Sequence, residues 1–218
     1  MVPFPSLGPM LGPMLGPMLA PTPVLTRPLA LRIDVELAPG EIERELDALH
    51  ERIHRPGDRL HDMPALPAGT PALRLRYREA DGEYYVYVED LMQRRLAGYT
   101  VFNRLIEVGR RADPWVRAPH TKFAPAYQRR GMARALYRWA LDGGLCLLSG
   151  ARQSAGAHAL WQVLAADYAG GYVDLRQKTL TWQGETVSPQ QCDGLHTRRL
   201  LLGRGWTLQQ FMARTGMY

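Results

Sequence analysis

The chain has 218 residues, 46% of them apolar, enough to bury one sizeable core and to make a single domain with a tail. Its formal charge of +6 comes almost wholly from arginine, Lys122 and Lys178 being the only lysines. A basic surface attracts polyanions, whether cofactor phosphates, RNA or an acidic protein, although an arginine excess also arises from genome composition alone. No run of ~18 apolar residues is present, which argues against a membrane-spanning helix. Cys146 and Cys192 form no metal or redox spacing, so no metal site is expected and a reducing, cytoplasmic setting fits. Cys146 lies in an apolar run and reads as a small core residue.

Residues 1–28 are of a different composition from the rest. Leu-Gly-Pro-Met occurs three times in register, at 7–10, 11–14 and 15–18. Proline at every fourth position forbids a helix and removes strand donors, so a disordered tail is expected, and a poor secretory signal. Alternation over 29–37 then predicts a half-buried strand. Ile42, Leu46, Leu49 and Ile53 fall on one face of a helix predicted over 41–55, with acidic residues in its first turn and basic ones near its end. Residues 56–71 read as a Pro- and Gly-rich loop. Two alternating runs, 72–78 and 83–90, flank an Asp81-Gly82 hairpin signal. A strand over 96–105, a polar connection over 106–115 and a strand over 116–123 follow, with Pro119 marking a bulge or an edge.

The central stretch runs from His120 to Asp142. Its strand stops at Pro125, and its helix carries Met132, Leu136, Trp139 and Ala140 on one face. Between them lies Gln128-Arg129-Arg130-Gly131-Met132-Ala133, which feeds into the helix N-terminus. Unpaired N–H groups and the positive end of the helix dipole make such a junction a phosphate cradle. Gly131 and Ala133 keep it open, and Arg129 and Arg130 add charge. Beyond Gly143-Gly144 come a buried strand over 145–149, a helix over 154–166, strand-like runs at 172–175, 178–182 and 195–202, and a terminal helix over 207–214.

Gln128, Gly131 and Ala133 meet the pyrophosphate-loop pattern of the Gcn5-related N-acetyltransferase (GNAT) superfamily, and Phe123-Ala124-Pro125-Ala126-Tyr127 resembles its hydrophobic-x-Pro-x-aromatic lead-in. Arg95-Leu96-Ala97-Gly98-Tyr99 is similar to the entry of the family's third strand. Ser154, Ala157, Leu160 and Trp161 resemble its second cofactor-side motif, with Ser154 at the Asn position and Trp161 at the Tyr position. The resemblance implies an α/β fold with a mixed, mostly antiparallel sheet, splayed at the cofactor site and flanked by helices. It divides the chain into a 1–28 tail, an acetyltransferase domain over 29–205 and a C-terminal helical extension over 206–218. The tract after the central helix then holds about one strand more than the family pattern.

The implied activity is direct transfer of an acetyl group from acetyl-CoA to a primary amine on a small molecule, peptide or protein; no positioned Cys or Ser nucleophile points to a covalent route. Phe123, Ala124, Gln128, Arg129, Arg130, Gly131, Met132, Ala133, Ser154 and Trp161 are the expected cofactor contacts. His120, whose imidazole titrates near neutrality, is the first candidate for the base, followed by Glu89 and Asp90. An indole N–H is no titrating acid, so Trp161 reads better as a core aromatic, leaving Ser154, Tyr168 or water for the acid. Asp58, His61, Asp62 and Met63 are candidates for acceptor contacts, and His158 lies one residue off an apolar face. Two alternatives stand beside this reading: a degenerate domain that binds acetyl-CoA as a sensor or scaffold, and an acetyltransferase acting on an RNA-linked amine. Dimers are common in the family.

Overall fold

A computed structural model describes residues 40–218 of the protein. The repeat tail and the strand expected over 29–37 lie outside the described residues. α1 (Glu41–Ile53) follows Gly40 and carries Glu41 and Glu43 in its first turn and His50 and Arg52 in its last, as the helix dipole favours. Leu46 and Ile53 are buried by its apolar face, each contributing about 1.5–3 kcal/mol by removal from water. The loop expected over 56–71 contains one short strand, β1 (Ala65–Pro67).

β2 (Leu73–Ala80) and β3 (Glu83–Asp90) form the expected hairpin. Asp81 and Gly82 both have positive φ, at 53° and 75°, the geometry that a tight two-residue hairpin turn requires. β4 (Arg95–Asn103) and β5 (Val116–Phe123) extend this antiparallel group. Beyond β5 a short 3-10 turn, Pro125–Tyr127, leads to α2 (Met132–Asp142), which is followed by β6 (Cys146–Leu148) and α3 (Ala155–Ala165). The last part holds β7 (Gly170–Arg176), β8 (Thr179–Gly184), the one-turn helix α4 (Pro189–Cys192), β9 (Thr197–Leu201) and α5 (Leu208–Thr215).

All nine strands of the described residues form one sheet in the order β1-β2-β3-β4-β5-β6-β9-β7-β8. Every pairing is antiparallel except β5 with β6. The fold is therefore mixed α/β with a mostly antiparallel sheet and flanking helices, as expected. β8 ends the strand order on the C-terminal side, added to the outer edge by a hairpin with β7.

The parallel pair is short. Only Val116 and Arg117 of β5 meet β6, opposite Cys146 and Leu147, whereas β5 stays paired with β4 from Ala118 to Phe123. The sheet thus parts along β5 towards its C-terminal end, and Pro119, which has no N–H to donate, lies just past the last β6 partner. The pairing of Pro119 with Phe102 continues the β4 register without a bulge, so Pro119 marks an edge.

Side chains alternate between two cores. Leu147 joins α1, α2, α3 and β2–β4 in one cluster, while Cys146 and Leu148 join β7–β9 and α5 in the other. Cys146 is fully buried, and burial pushes its thiol pKa up to about 12, in keeping with a core role. Phe211 of α5 and Met217 beyond it lie in the second cluster, so residues 206–218 are integral to the domain rather than an extension appended to it.

Candidate active site

Cross-strand contacts place α1 and α2 on opposite faces of the β4–β5 ladder. On one face Tyr99, paired with Lys122, donates its hydroxyl to Glu45 Oε1 of α1 at 2.5 Å, and Lys122 Nζ reaches Glu45 Oε2 at 2.6 Å. On the other face Thr100 and Thr121 bond through their hydroxyls at 2.8 Å, and Thr121 lies 3.3 Å from the hydroxyl of Tyr137 on α2. His120, two residues before Lys122, shares the α1 face and is exposed.

The strand–loop–helix junction is anchored at several points. β4 holds one extra residue, Ala97, between its pairings with Val88 and Glu89 of β3, and the carbonyl of Ala97 accepts the N–H of Ala124 at 3.0 Å. Gly98 must be glycine, because a Cβ there would lie 2.3 Å from the Phe123 ring and 2.4 Å from the Lys122 carbonyl. Tyr127 donates its hydroxyl to Asp90 Oδ2 at 2.8 Å, and Gln128 donates its amide to the Phe123 carbonyl at 3.0 Å. The guanidinium of Arg130 lies 5.4 Å from the Tyr127 ring.

Two left-handed residues shape the turn itself, Arg129 at φ 58° and Gly131 at φ 77°. Gly131 is the N-cap of α2, and no side chain caps the helix. The N–H groups of its first turn have no intrahelical partner, Gln128, Arg129 and Arg130 are exposed around them, and Gly131 and Ala133 are half-buried. This is an uncapped helix N-terminus framed by arginines, reached through the loop that follows β5. It offers backbone donors and positive charge to a phosphate.

Several expected contacts take other roles. Met132, Phe123 and Ala124 are buried, so any contact they make with a ligand is through the backbone. Trp161 is 3% exposed and packs edge-on against Tyr137 with ring centroids 6.0 Å apart, so most of its indole is core, and it also borders a small pocket beside β9. Ser154 is the N-cap of α3, its hydroxyl accepting the Ala157 N–H at 3.2 Å. Tyr168 donates to Asp142 Oδ1 at 2.8 Å, beside the C-terminal end of α2, and burial followed by this bond pushes its pKa up to about 12. The Tyr168 hydroxyl thus lies at the end of α2 opposite the loop, and Ser154 keeps its own O–H to donate.

The base candidates separate clearly. Glu89 is buried and committed: Arg76 Nε lies 3.0 Å from one of its oxygens and His54 Nε2 lies 2.8 Å from the other. Burial pushes its pKa up, but these bonds outweigh it and hold the carboxyl below its ordinary value, so Glu89 is a poor proton acceptor near neutrality. Asp90 is also held low. Burial raises it, and the Gln93 N–H, the Tyr127 hydroxyl and the Met92 N–H more than compensate. His120 differs: crowding by its surroundings and then the Lys122 charge lower its pKa, against an opposing pull from Glu45, which favours the neutral imidazole that a base requires.

Of the acceptor-loop candidates, Met63 is buried in the core, Asp58 is bonded to Arg52 at 3.0 and 3.2 Å, and His61 pairs with Asp62 at 2.9 Å. His158 lies within 3.3 Å of Gln162 and helps line a small pocket with Trp161, Tyr172 and Arg199, beside β9. Sequence reasoning did not single out Glu45 or Lys122 as site residues, and it read Tyr99 only as part of the third-strand motif. The available signal was a carboxylate, Glu45, one position off the apolar stripe of α1.

No family model matches the sequence, and no curated protein does. Among solved structures the chain is similar to the ribosomal-protein-S5-alanine acetyltransferase of Vibrio fischeri, with 12% identity, a TM-score of 0.34, and coverage of 57% of this chain and 64% of that one. It is similar to a GNAT-superfamily phosphinothricin acetyltransferase of Sinorhizobium meliloti, solved with AcCoA, with 17% identity, a TM-score of 0.34, and coverage of 57% and 63%. A spermidine N-acetyltransferase of Vibrio cholerae, in complex with CoA and spermine, matches with 18% identity, a TM-score of 0.32, and coverage of 61% and 69%. The chain spans less than two thirds of the length of the first two. All three are named as acetyltransferases, and the Sinorhizobium meliloti enzyme as a member of the GNAT superfamily.

Proposed function

We propose that this protein is an acetyl-CoA-dependent N-acetyltransferase. The single observation that carries the reading is the uncapped N-terminus of α2, entered through the left-handed Gly131 at the end of the loop that follows the edge of β5 left unpaired by β6. The N–H groups of the first turn, with Arg129 and Arg130, would hold the pyrophosphate. The backbone of residues 118–123 would bind the pantetheine arm and offer an N–H to the thioester carbonyl. Acetyl-CoA supplies the activated acyl group, and the chain's own work is to hold it by its remote phosphates and to prepare the amine.

The amine would approach on the α1 face. Neutral His120 would take its proton as the nitrogen bonds to the carbonyl carbon, and the carbon–sulfur bond breaks to release thiolate. With Trp161 largely in the core and Tyr168 bonded to Asp142, the thiolate would take its proton from Ser154 or from water. Glu45 and Lys122 lie on the same face and would orient the acceptor. The solved relatives named for spermidine and for a ribosomal-protein alanine direct the first trials to polyamines and peptide N-termini.

Trp161 and Ser154, standing where the resembled motif has Tyr and Asn, also support a second reading, in which the domain binds acetyl-CoA as a sensor without turnover. Release of free CoA thiol, measured over a panel of polyamines, peptides and RNA-linked amines, separates the two. Release with any amine, lost in His120→Asn, supports catalysis. Saturable acetyl-CoA binding with no release on the whole panel supports the sensor. An RNA-linked acceptor would show an apparent affinity falling steeply with salt.

A further inference from the structure

His50 and His54 stand one turn apart on α1 (His54 being its C-cap), with ring centroids 4.5 Å apart, and both address one oxygen of Glu89 on β3. Nε2 of His54 lies 2.8 Å from Glu89 Oε1 and Nε2 of His50 lies 3.7 Å from it. One ligand atom from each residue falls within 4.8 Å of the others. We propose that His50, His54 and Glu89 form a binding site for a divalent transition-metal ion of the zinc class, independent of the acetyl-CoA site and joining α1 to β3.

The donor set supports this. Two imidazoles and a carboxylate suit Zn²⁺ and its neighbours, and hard ions such as Mg²⁺ prefer oxygen alone. Histidines at i and i+4 lie on one helix face, and residues 50–54 read His-Glu-Arg-Ile-His, a spacing that recurs in helical zinc sites. The remaining Glu89 oxygen, Oε2, is fixed by Arg76 Nε at 3.0 Å, with Arg74 Nη1 at 4.0 Å, so the carboxylate is oriented with Oε1 towards the histidines. Ligands must be deprotonated to bind.

Exposure defines the open side. The His54 side chain is 46% exposed, that of His50 22% and that of Glu89 5%, so water can complete the coordination from the solvent side. Glu51, which follows His50, is 73% exposed and lies 3.9 Å from Arg55. It faces away from the cluster, so the proposal is one of metal binding and not of metal-assisted hydrolysis. Because α1 also carries Glu45, the ion would fix the helix that contributes this residue to the acceptor face.

The test uses the full chain, stripped with a chelator and titrated with ZnCl₂ by calorimetry, with CoCl₂ followed by visible absorption. Expected are one saturable site, a rise in melting temperature reversed by the chelator, and cobalt bands of a four- or five-coordinate His-containing site. His50→Asn/His54→Asn should weaken Zn²⁺ binding at least tenfold. His54→Asn alone, at a half-exposed position, should weaken binding while leaving circular dichroism and the metal-free urea midpoint close to the parent's. Absence of a saturable site in the parent, or binding of equal affinity in the folded double variant, would overturn the proposal and leave a hydrogen-bonded histidine–carboxylate cluster. None of these readouts depends on acetyl transfer.

Discussion

Lys122 of β5 and Glu45 of α1 form an ion pair with Nζ 2.6 Å from Oε2, and Tyr99 caps the other carboxylate oxygen at 2.5 Å. Burial pushes the Glu45 pKa up, but the Lys122 and Tyr99 bonds outweigh it and the carboxyl is held below its ordinary value. The pair also acts on His120. Lys122 lowers the imidazole pKa and Glu45 raises it. The imidazole is therefore tuned from both sides by groups that bond to each other.

The acetyl-transfer rate should follow deprotonation of His120. The rate is expected to fall as pH drops through a value below the ordinary histidine value of 6.5. Glu45→Gln removes the charge that favours imidazolium and should move this acid limb to lower pH, whereas His120→Asn should abolish it and lower kcat about 10²-fold or more. A pH–rate profile of the three proteins measures the shift. An unmoved limb in both variants would assign the titration to another group.

Stability should decline towards acid in two stages of the same sign. His50 and His120 have folded pKa values below 6.5, so the unfolded chain takes protons first and stability drops as pH falls through that value. Glu45, Glu89 and Asp90 are likewise lowered from 4.5, 4.5 and 3.8, and their contribution is lost below those values. Urea midpoints measured from pH 8 to pH 4 should decrease throughout; a maximum below pH 6 would contradict the assigned directions.

Gly98→Ala should open the strand pair that supports the loop. The added Cβ would meet Phe123 and the Lys122 carbonyl well inside contact distance, and neither the backbone nor a buried ring yields cheaply. A loss of about 1–3 kcal/mol or more is expected from urea denaturation. Wild-type stability would show that β4 and β5 are not packed as described.

Trp161→Tyr tests whether the indole stands in for an acid. As a core residue against Tyr137, Trp161 should lose stability on replacement, by about 3–5 kcal/mol for Trp161→Ala and less for Trp161→Tyr, with no gain in kcat for the tyrosine variant. A clear rise in kcat in Trp161→Tyr would return that position to the active site.

Much of the scaffold could be read from the chain because local chemistry dictates it. Asp81-Gly82 supplies the two positive φ angles of its turn, the boundaries of β5 match the strand expected over 116–123, and the stripe Met132, Leu136, Trp139, Ala140 is the buried face of α2. Long-range pairing was less legible. The run at 178–182 was a strand in the sequence, but only its pairing with β7 makes it the outer edge. The one-turn α4 is too short to show periodicity. In the site, the phosphate-cradle residues were local and therefore visible. Glu89 looked free because its partners, Arg76 and His54, lie 13 and 35 positions away. Glu45, 77 residues from Lys122, stayed hidden for the same reason.

The central claim is tested most directly by calorimetric titration of acetyl-CoA into the protein and two variants, Gly131→Asp and Gly131→Asn. Any side chain at φ 77° brings strain, but Asp and Asn are of similar size and tolerate the left-handed region best, so their difference isolates charge at the helix N-terminus. The account predicts saturable binding to the parent, retained in weakened form by Gly131→Asn, and at least tenfold weaker again in Gly131→Asp. Absence of binding to the parent, or equal affinity in the two variants, would contradict a phosphate seat at the N-terminus of α2.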